Sequence, residues 1–317
     1  MATANQILTL IKSHLEENSE RFNTVALQIA AHEAKLGHLN LAGEINKLID
    51  TGKRNKPKLK NLNPDFQGLF LEVCPSFKLT DLVVSDSIME RVKRVVDEFV
   101  YKDKLSRHNL NNRRKILLSG APGTGKTMTA SIIANELHLP LYVILIDKIV
   151  TKYMGETSAK LRQIFDYIEE NPAVYLFDEF DAIGGQRSKD NDVGEMRRVL
   201  NSFLQFIERD ESESLIVAAT NNLVLLDQAL FRRFDDVIHY QLPSDKEKTE
   251  LLKCRFNGKL SQNDIKIILV ELDSLSHAEI NQACLDAIKE SVIKSIPVSN
   301  ELIIKTIKER KSAYKLD

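Results

Sequence analysis

Residues 120–127 read Gly120-Ala121-Pro122-Gly123-Thr124-Gly125-Lys126-Thr127, the spacing GxxxxGK[ST]. A loop of this kind binds phosphate for physical reasons. Glycines let backbone N–H groups wrap an anion with no Cβ in the way. The helix that follows presents its positive N-terminal end to the same charge. The apolar run KILLSG (115–120) ahead of the loop predicts a strand, and the run Met128–Leu137 behind it predicts a helix. On this reading Lys126 reaches the β- and γ-phosphates and the Thr127 hydroxyl holds Mg²⁺, with Met128 closing the binding segment.

A second acidic site supports the first. Val174-Tyr175-Leu176-Phe177 runs directly into Asp178-Glu179. An apolar strand of a parallel sheet delivers such acids to its carboxyl end, where ligands bind. Asp178 is predicted to coordinate Mg²⁺ from a strand neighbouring the loop, and Glu179 to orient and deprotonate an attacking water. Asp181 follows, with a surface or loop-fixing role expected of it.

The elements that must position these groups are legible as a pattern of apolar runs. KILLSG (115–120), LYVILI (141–146), AVYLFD (173–178) and SLIVAAT (214–220) each lead into turn residues and a helical stretch. Strands alternating with helices predict an α/β fold, a parallel sheet flanked by helices, across residues 66–242. Residues 243–317 carry helical patterns over 245–256, 263–269, 277–293 and 300–314, a small all-helical C-terminal unit. Residues 1–52 read as three short amphipathic helices, a small N-terminal bundle for a partner or client. The stretch KRNKPKLKNLNP has five basic residues, two prolines and no acid, which makes 53–65 a basic linker.

The chain's 317 residues carry 44 basic and 45 acidic side chains, a net charge of −1. No global basic field exists to attract nucleic acid. Cys74, Cys254 and Cys284 are sparse and odd in number, which argues against a disulfide framework or a zinc site. No apolar run is long enough to span a bilayer and no signal peptide is evident, so a cytoplasmic protein without membrane insertion is expected. His32-Glu33 does not complete HExxH, because Leu36 stands where the second His belongs.

GAPGTGKT, LFDEFDAIGGQR, AATNN and LDQALFRRFD, in that order, resemble the AAA branch of the AAA+ ATPases from about Leu79 onward. The resemblance implies ATP and Mg²⁺ as cofactors, ATP hydrolysis, and a homo-oligomer, usually a hexameric ring. It implies that Asn221 is a sensor near the γ-phosphate. It implies that Arg232 and Arg233 are paired arginine fingers serving the next subunit's site. Tyr153, Met154 and Gly155 are similar to a substrate-gripping pore loop, and 184–194 to a second, polar one. Ser276-His277-Ala278-Glu279-Ile280 is similar to a lid segment near the adenine, with His277 in place of a glycine, and Val83 and Val84 would flank the base. The function implied is remodelling, unfolding or disassembly of a protein substrate. The alternatives are an ATP-dependent switch controlling a separately encoded effector such as a protease, without threading, and a DNA-acting member, which the charge disfavours.

Overall fold

The computed structural model describes residues 12, 22, 25–30, 38, 43–44, 68–149, 154–181, 192–222, 231–258 and 260–313. The chain divides into two compact units, Met1–Leu62 and Asn63–Asp317. In the first, residues 25–30 are helical and bury Val25, Ala26 and Ala30. Residues 12, 22 and 43–44 are helical too, and the rest of the three-helix reading of 1–52 lies outside the described residues, as does the linker 53–65.

In the second unit, six strands among the described residues make one sheet: β1 (Phe70–Val73), β2 (Lys115–Gly120), β3 (Leu141–Ile144), β4 (Val174–Phe177), β5 (Leu215–Thr220) and β6 (Asp236–Tyr240). Their spatial order is β1-β3-β4-β5-β2-β6, with β1 antiparallel to β3 and every other pair parallel. The four expected strands are present. LYVILI is shorter than expected, because Ile146–Ile149 turns into helix. β4 and β5 are buried at every position. Covering both faces explains their unbroken apolar runs, each large side chain contributing about 1.5–3 kcal/mol.

The helices are α1 (Asp86–Val100), α2 (Lys102–Ser106), α3 (Lys126–Glu136), α4 (Ile146–Ile149), α5 (Met154–Glu170), α6 (Asp192–Arg209), α7 (Asp245–Arg255), α8 (Gln262–Glu271), α9 (His277–Lys294) and α10 (Asn300–Ser312). Helix α3 is buried over most of its length because Thr129, Ala130, Ser131 and Ala134 are small enough to pass close to the sheet. Among the described residues no helix is long and apolar enough to cross a membrane.

Helices α7 to α10 enclose a second apolar core of Leu252, Ile268, Leu272, Ile280, Cys284 and Ile303. Ser244, Ser261 and Ser276 start α7, α8 and α9 with reciprocal capping boxes, so each start is written in sequence as Ser-x-x-acid. One extended strap connects the two cores. Leu82 and Val84 pack into the sheet's core while Val83, pointing the opposite way, packs into the helical core.

Candidate functional site

The loop between β2 and α3 is held in shape by contacts that no other residue type at its glycines would permit. Gly120 has φ +146°, and a Cβ there would stand 2.2 Å from the Tyr240 carbonyl oxygen. Gly123 has φ +74°, and its Cβ would meet Ser276 Oγ at 2.7 Å. Its carbonyl accepts a hydrogen bond from Ala278 N at 2.9 Å, so the first turn of α9 sits directly on the loop's tip. Thr124 is buried and donates from Oγ1 to the Ala121 carbonyl at 2.8 Å, while Ala121 and Pro122 line the accessible rim. Gly125 precedes α3 in the left-handed region. Met128 is half-buried and packs against the sheet's core.

Lys126 is only 6% exposed. Its ammonium donates to the Gly120 carbonyl at 2.7 Å, the Ala121 carbonyl at 2.9 Å and Asn221 Oδ1 at 2.9 Å, which uses all three protons. Burial pushes its pKa below the ordinary lysine value, and the Asp178 and Asp181 carboxylates pull it back up. This is a cation held in place by weak neutral acceptors, a set that an anionic phosphate can replace.

Thr127 opens α3 with its side chain exposed to the site, and its hydroxyl donates to Asp178 Oδ2 at 2.7 Å. A hydroxyl and a carboxylate in contact beside a phosphate loop are hard oxygen donors of the kind Mg²⁺ takes alongside phosphate oxygens and water. Asp178 also accepts from Glu179 N at 2.9 Å through Oδ1. Glu179 has φ +51°, a conformation a non-glycine residue adopts at a cost of about 1–3 kcal/mol. The main chain locks it there, with Phe180 N donating to the Ala219 carbonyl at 2.8 Å.

Asp178 does not come from a strand paired with β2, as the sequence led one to expect. β5 lies between β4 and β2. The separation is bridged by Thr127, reaching from α3, and by Asn221, which leaves β5 between the two. Asp181 has a loop-fixing contact set: its Oδ1 accepts from Thr220 Oγ1 and from Asn221 N, each at 3.3 Å.

Arg232 and Arg233 lie elsewhere. They precede β6, whose Asp236 pairs with Ile116 while Tyr240 pairs with Gly120. The arginine turn is therefore at the end of the sheet opposite the phosphate loop, roughly 13 Å away by strand rise. Asp235 pins the turn, accepting from Arg114 N and Lys115 N at 2.9 Å each. Arg233 pairs with Glu208 of α6 at 2.6 Å. Arg232 is exposed and makes no ion pair among the described residues.

Tyr153 lies outside the described residues. Met154 and Gly155 are the first residues of α5 rather than part of an extended loop. Of the second pore segment, 184–191 lies outside the described residues and 192–194 begin α6. Val83 and Val84 are buried in the two cores. His277 is 8% exposed, with both ring nitrogens lacking a partner among the described residues, and burial lowers its pKa. Neither the Asp181 link nor the strap through Val83 was visible in sequence, because both are long-range contacts with no local spacing.

The profile of the ATPase family associated with various cellular activities (AAA) matches residues 116–242. The chain is 34% identical over 282 residues to the AAA family ATPase y4kL of Sinorhizobium fredii, covering 87% of this chain and 86% of that one. It is 32% identical over 242 residues to the ATP-dependent zinc metalloprotease FtsH of Metamycoplasma arthritidis, 71% of this chain but 32% of FtsH. It is 31% identical over 235 residues to the proteasome-activating nucleotidase of Methanothermobacter thermautotrophicus, 71% of this chain and 57% of that protein. Among solved structures, the FIGL-1 AAA domain superposes with a TM-score of 0.61 at 20% identity, over 82% of this chain and 96% of that domain, which is a likeness of fold. With a phosphate loop, a facing carboxylate and an intervening asparagine set on the sheet that carries this profile, the chain belongs to the AAA family of ATPases.

Proposed function

We propose that the chain hydrolyses Mg²⁺-ATP and, as a ring-shaped homo-oligomer, uses the cycle to remodel, unfold or take apart a protein substrate. The observation that carries this reading is the convergence of Lys126, Asn221, Thr127 and Asp178 at the carboxyl edge of the sheet. The loop amides and Lys126 bind the triphosphate. Thr127 and Asp178 would hold Mg²⁺, which supplies charge neutralisation on the phosphates when bound. Glu179 takes the proton of the attacking water, and Asn221, once Lys126 turns to phosphate, is free to orient that water. Because Arg232 and Arg233 lie at the far end of their own sheet, they serve a neighbouring subunit's site. Arg232, without an ion pair among the described residues, is the better placed to reach across, and Arg233, held by Glu208, sets the turn.

The organisation proposed is a 1–52 helical unit that recruits the client, a 53–65 linker, an ATPase domain over 66–242 and a lid over 243–317. Tyr153, Met154 and Gly155 would grip the polypeptide with a flat ring and a flexible thioether. Two relatives are named for a protease and for proteasome activation, which supports a protein substrate. The second of these names also favours the other reading, a switch acting on a separately encoded effector.

Two variants separate these readings. Tyr153→Ala should keep ATP turnover and lose substrate processing if the polypeptide is threaded. Normal processing by that variant, with an effector switched on merely by ATP binding to Glu179→Gln, would replace the motor by the switch. Absence of Mg²⁺-dependent ATP turnover by the wild-type chain would remove the motor, and absence of ATP binding would remove both.

A further inference from the structure

Asp181 plays no part in the catalytic scheme above, yet it is tied to that scheme's centre. Its Oδ1 receives Thr220 Oγ1 and Asn221 N at 3.3 Å each, across 39 and 40 residues of sequence. One residue earlier, Phe180 N donates to the Ala219 carbonyl at 2.8 Å. The turn that follows β4 is thus laced to the end of β5 by a main-chain bond and a carboxylate. Beyond this lacing stands Asn221, whose Oδ1 receives the Lys126 ammonium at 2.9 Å. Asn221 is exposed and sits on the turn after β5, where the ladder no longer holds its main chain. A side chain on such a turn is aimed by whatever fixes its backbone.

We propose that Asp181 is a positioning residue for ATP hydrolysis, holding the Asn221 main chain so that its amide serves Lys126 before nucleotide binds and the attacking water afterwards. This rests on the reading of the Lys126 site as an ATPase centre. The role needs an acceptor oxygen at Asp181 and does not need its charge. That separates it from the second effect of the same carboxylate, its through-space pull on the Lys126 ammonium.

The requirement gives a sharp test. ATP turnover and ATP affinity are measured for wild type, D181A, D181N, N221A and D181A/N221A, with thermal melting to establish folding. D181A should lower kcat by about tenfold while KM for ATP stays within about twofold, the signature of an interaction that matters only in the transition state. D181N, which keeps the acceptor, should recover most of the loss. In the N221A background D181A should cost nothing further, because coupled residues are non-additive. Equal losses in D181A and D181N, a change in KM alone, or full additivity with N221A would each overturn the assignment. If D181A does not fold, T220V carries the test, since it removes one donor to the same oxygen; its smaller loss in kcat should also vanish beside N221A, and persistence there counts against the proposal. A wild-type chain with no ATP turnover would instead overturn the ATPase reading itself.

Discussion

The Lys126 ammonium donates to Asn221 Oδ1 at 2.9 Å, joining the phosphate loop to the end of β5 across 95 residues of sequence. The same ammonium closes on the Gly120 and Ala121 carbonyls of its own loop. The lysine is thus held by neutral acceptors, and a phosphate oxygen, being charged, outcompetes them.

The neighbouring contact, Thr127 Oγ1 to Asp178 Oδ2 at 2.7 Å, predicts the metal dependence. Thr127→Ala and Asp178→Asn should each reduce Mg²⁺-dependent turnover by about a hundredfold, a loss of roughly 2.7 kcal/mol in transition-state stabilisation. Nucleotide binding in EDTA should change far less. A magnesium titration of turnover checks this, and wild-type magnesium dependence in either variant would contradict the shared site.

Glu179 combines strain with chemistry. Its φ of +51° costs a glutamate energy that a glycine would not incur. Glu179→Gly is expected to stabilise the fold by about 0.5–1 kcal/mol while lowering turnover by at least about a hundredfold. Chemical denaturation and a steady-state assay on the same sample read both effects. A destabilised variant would mean that the carboxylate is held by contacts the local geometry does not account for.

At Gly120 the constraint is steric. A Cβ would lie 2.2 Å from the Tyr240 carbonyl, and both partners are main chain in a paired ladder, so neither gives way cheaply. Gly120→Ala should cost about 2–4 kcal/mol of stability. Gly123→Ala meets side chains instead of main chain, the Ser276 hydroxyl and the Ala278 Cβ at 3.0 Å, and should cost less in stability while disturbing the seat of α9 on the loop. The ranking of the two melting temperatures tests the comparison.

The two arginines predict unequal phenotypes. Arg232→Ala should keep ATP affinity and lower turnover by about a thousandfold, as loss of a charge supplied only in the transition state does. Arg233→Ala and Glu208→Ala should resemble each other, because each breaks the same 2.6 Å pair. Mixing Arg232→Ala with Glu179→Gln subunits should restore part of the turnover, since one wild-type site can then form between neighbours. No recovery over the full mixing range would place the arginine's action within its own subunit.

Much of the site was readable from contiguous residues. The phosphate loop, Asp178-Glu179 and Asn221 each follow an apolar run, and a run buried on both faces needs no alternation to be recognised. Where strands lie at the sheet's edges the signal fails. β6 reads Asp-Val-Ile-His-Tyr and β1 carries an exposed Leu71 and Glu72, so neither stands out as apolar. The spatial order was hidden for a related reason. Nothing in the run Val174–Phe177 tells that β5 will intervene before β2, and with it the placement of Asn221 between Lys126 and Asp181. The loop expected at Met154-Gly155 came from the family resemblance alone, and both residues are the first of the helical period of α5.

The most direct measurement is equilibrium binding of ATP to the purified chain, compared with Lys126→Ala. The account predicts that wild type binds ATP and that the variant binds about thirtyfold more weakly, the loss of roughly 2 kcal/mol that one buried charge-assisted hydrogen bond carries. Equal affinity in the two proteins, or no affinity in wild type, would contradict a triphosphate held at this loop.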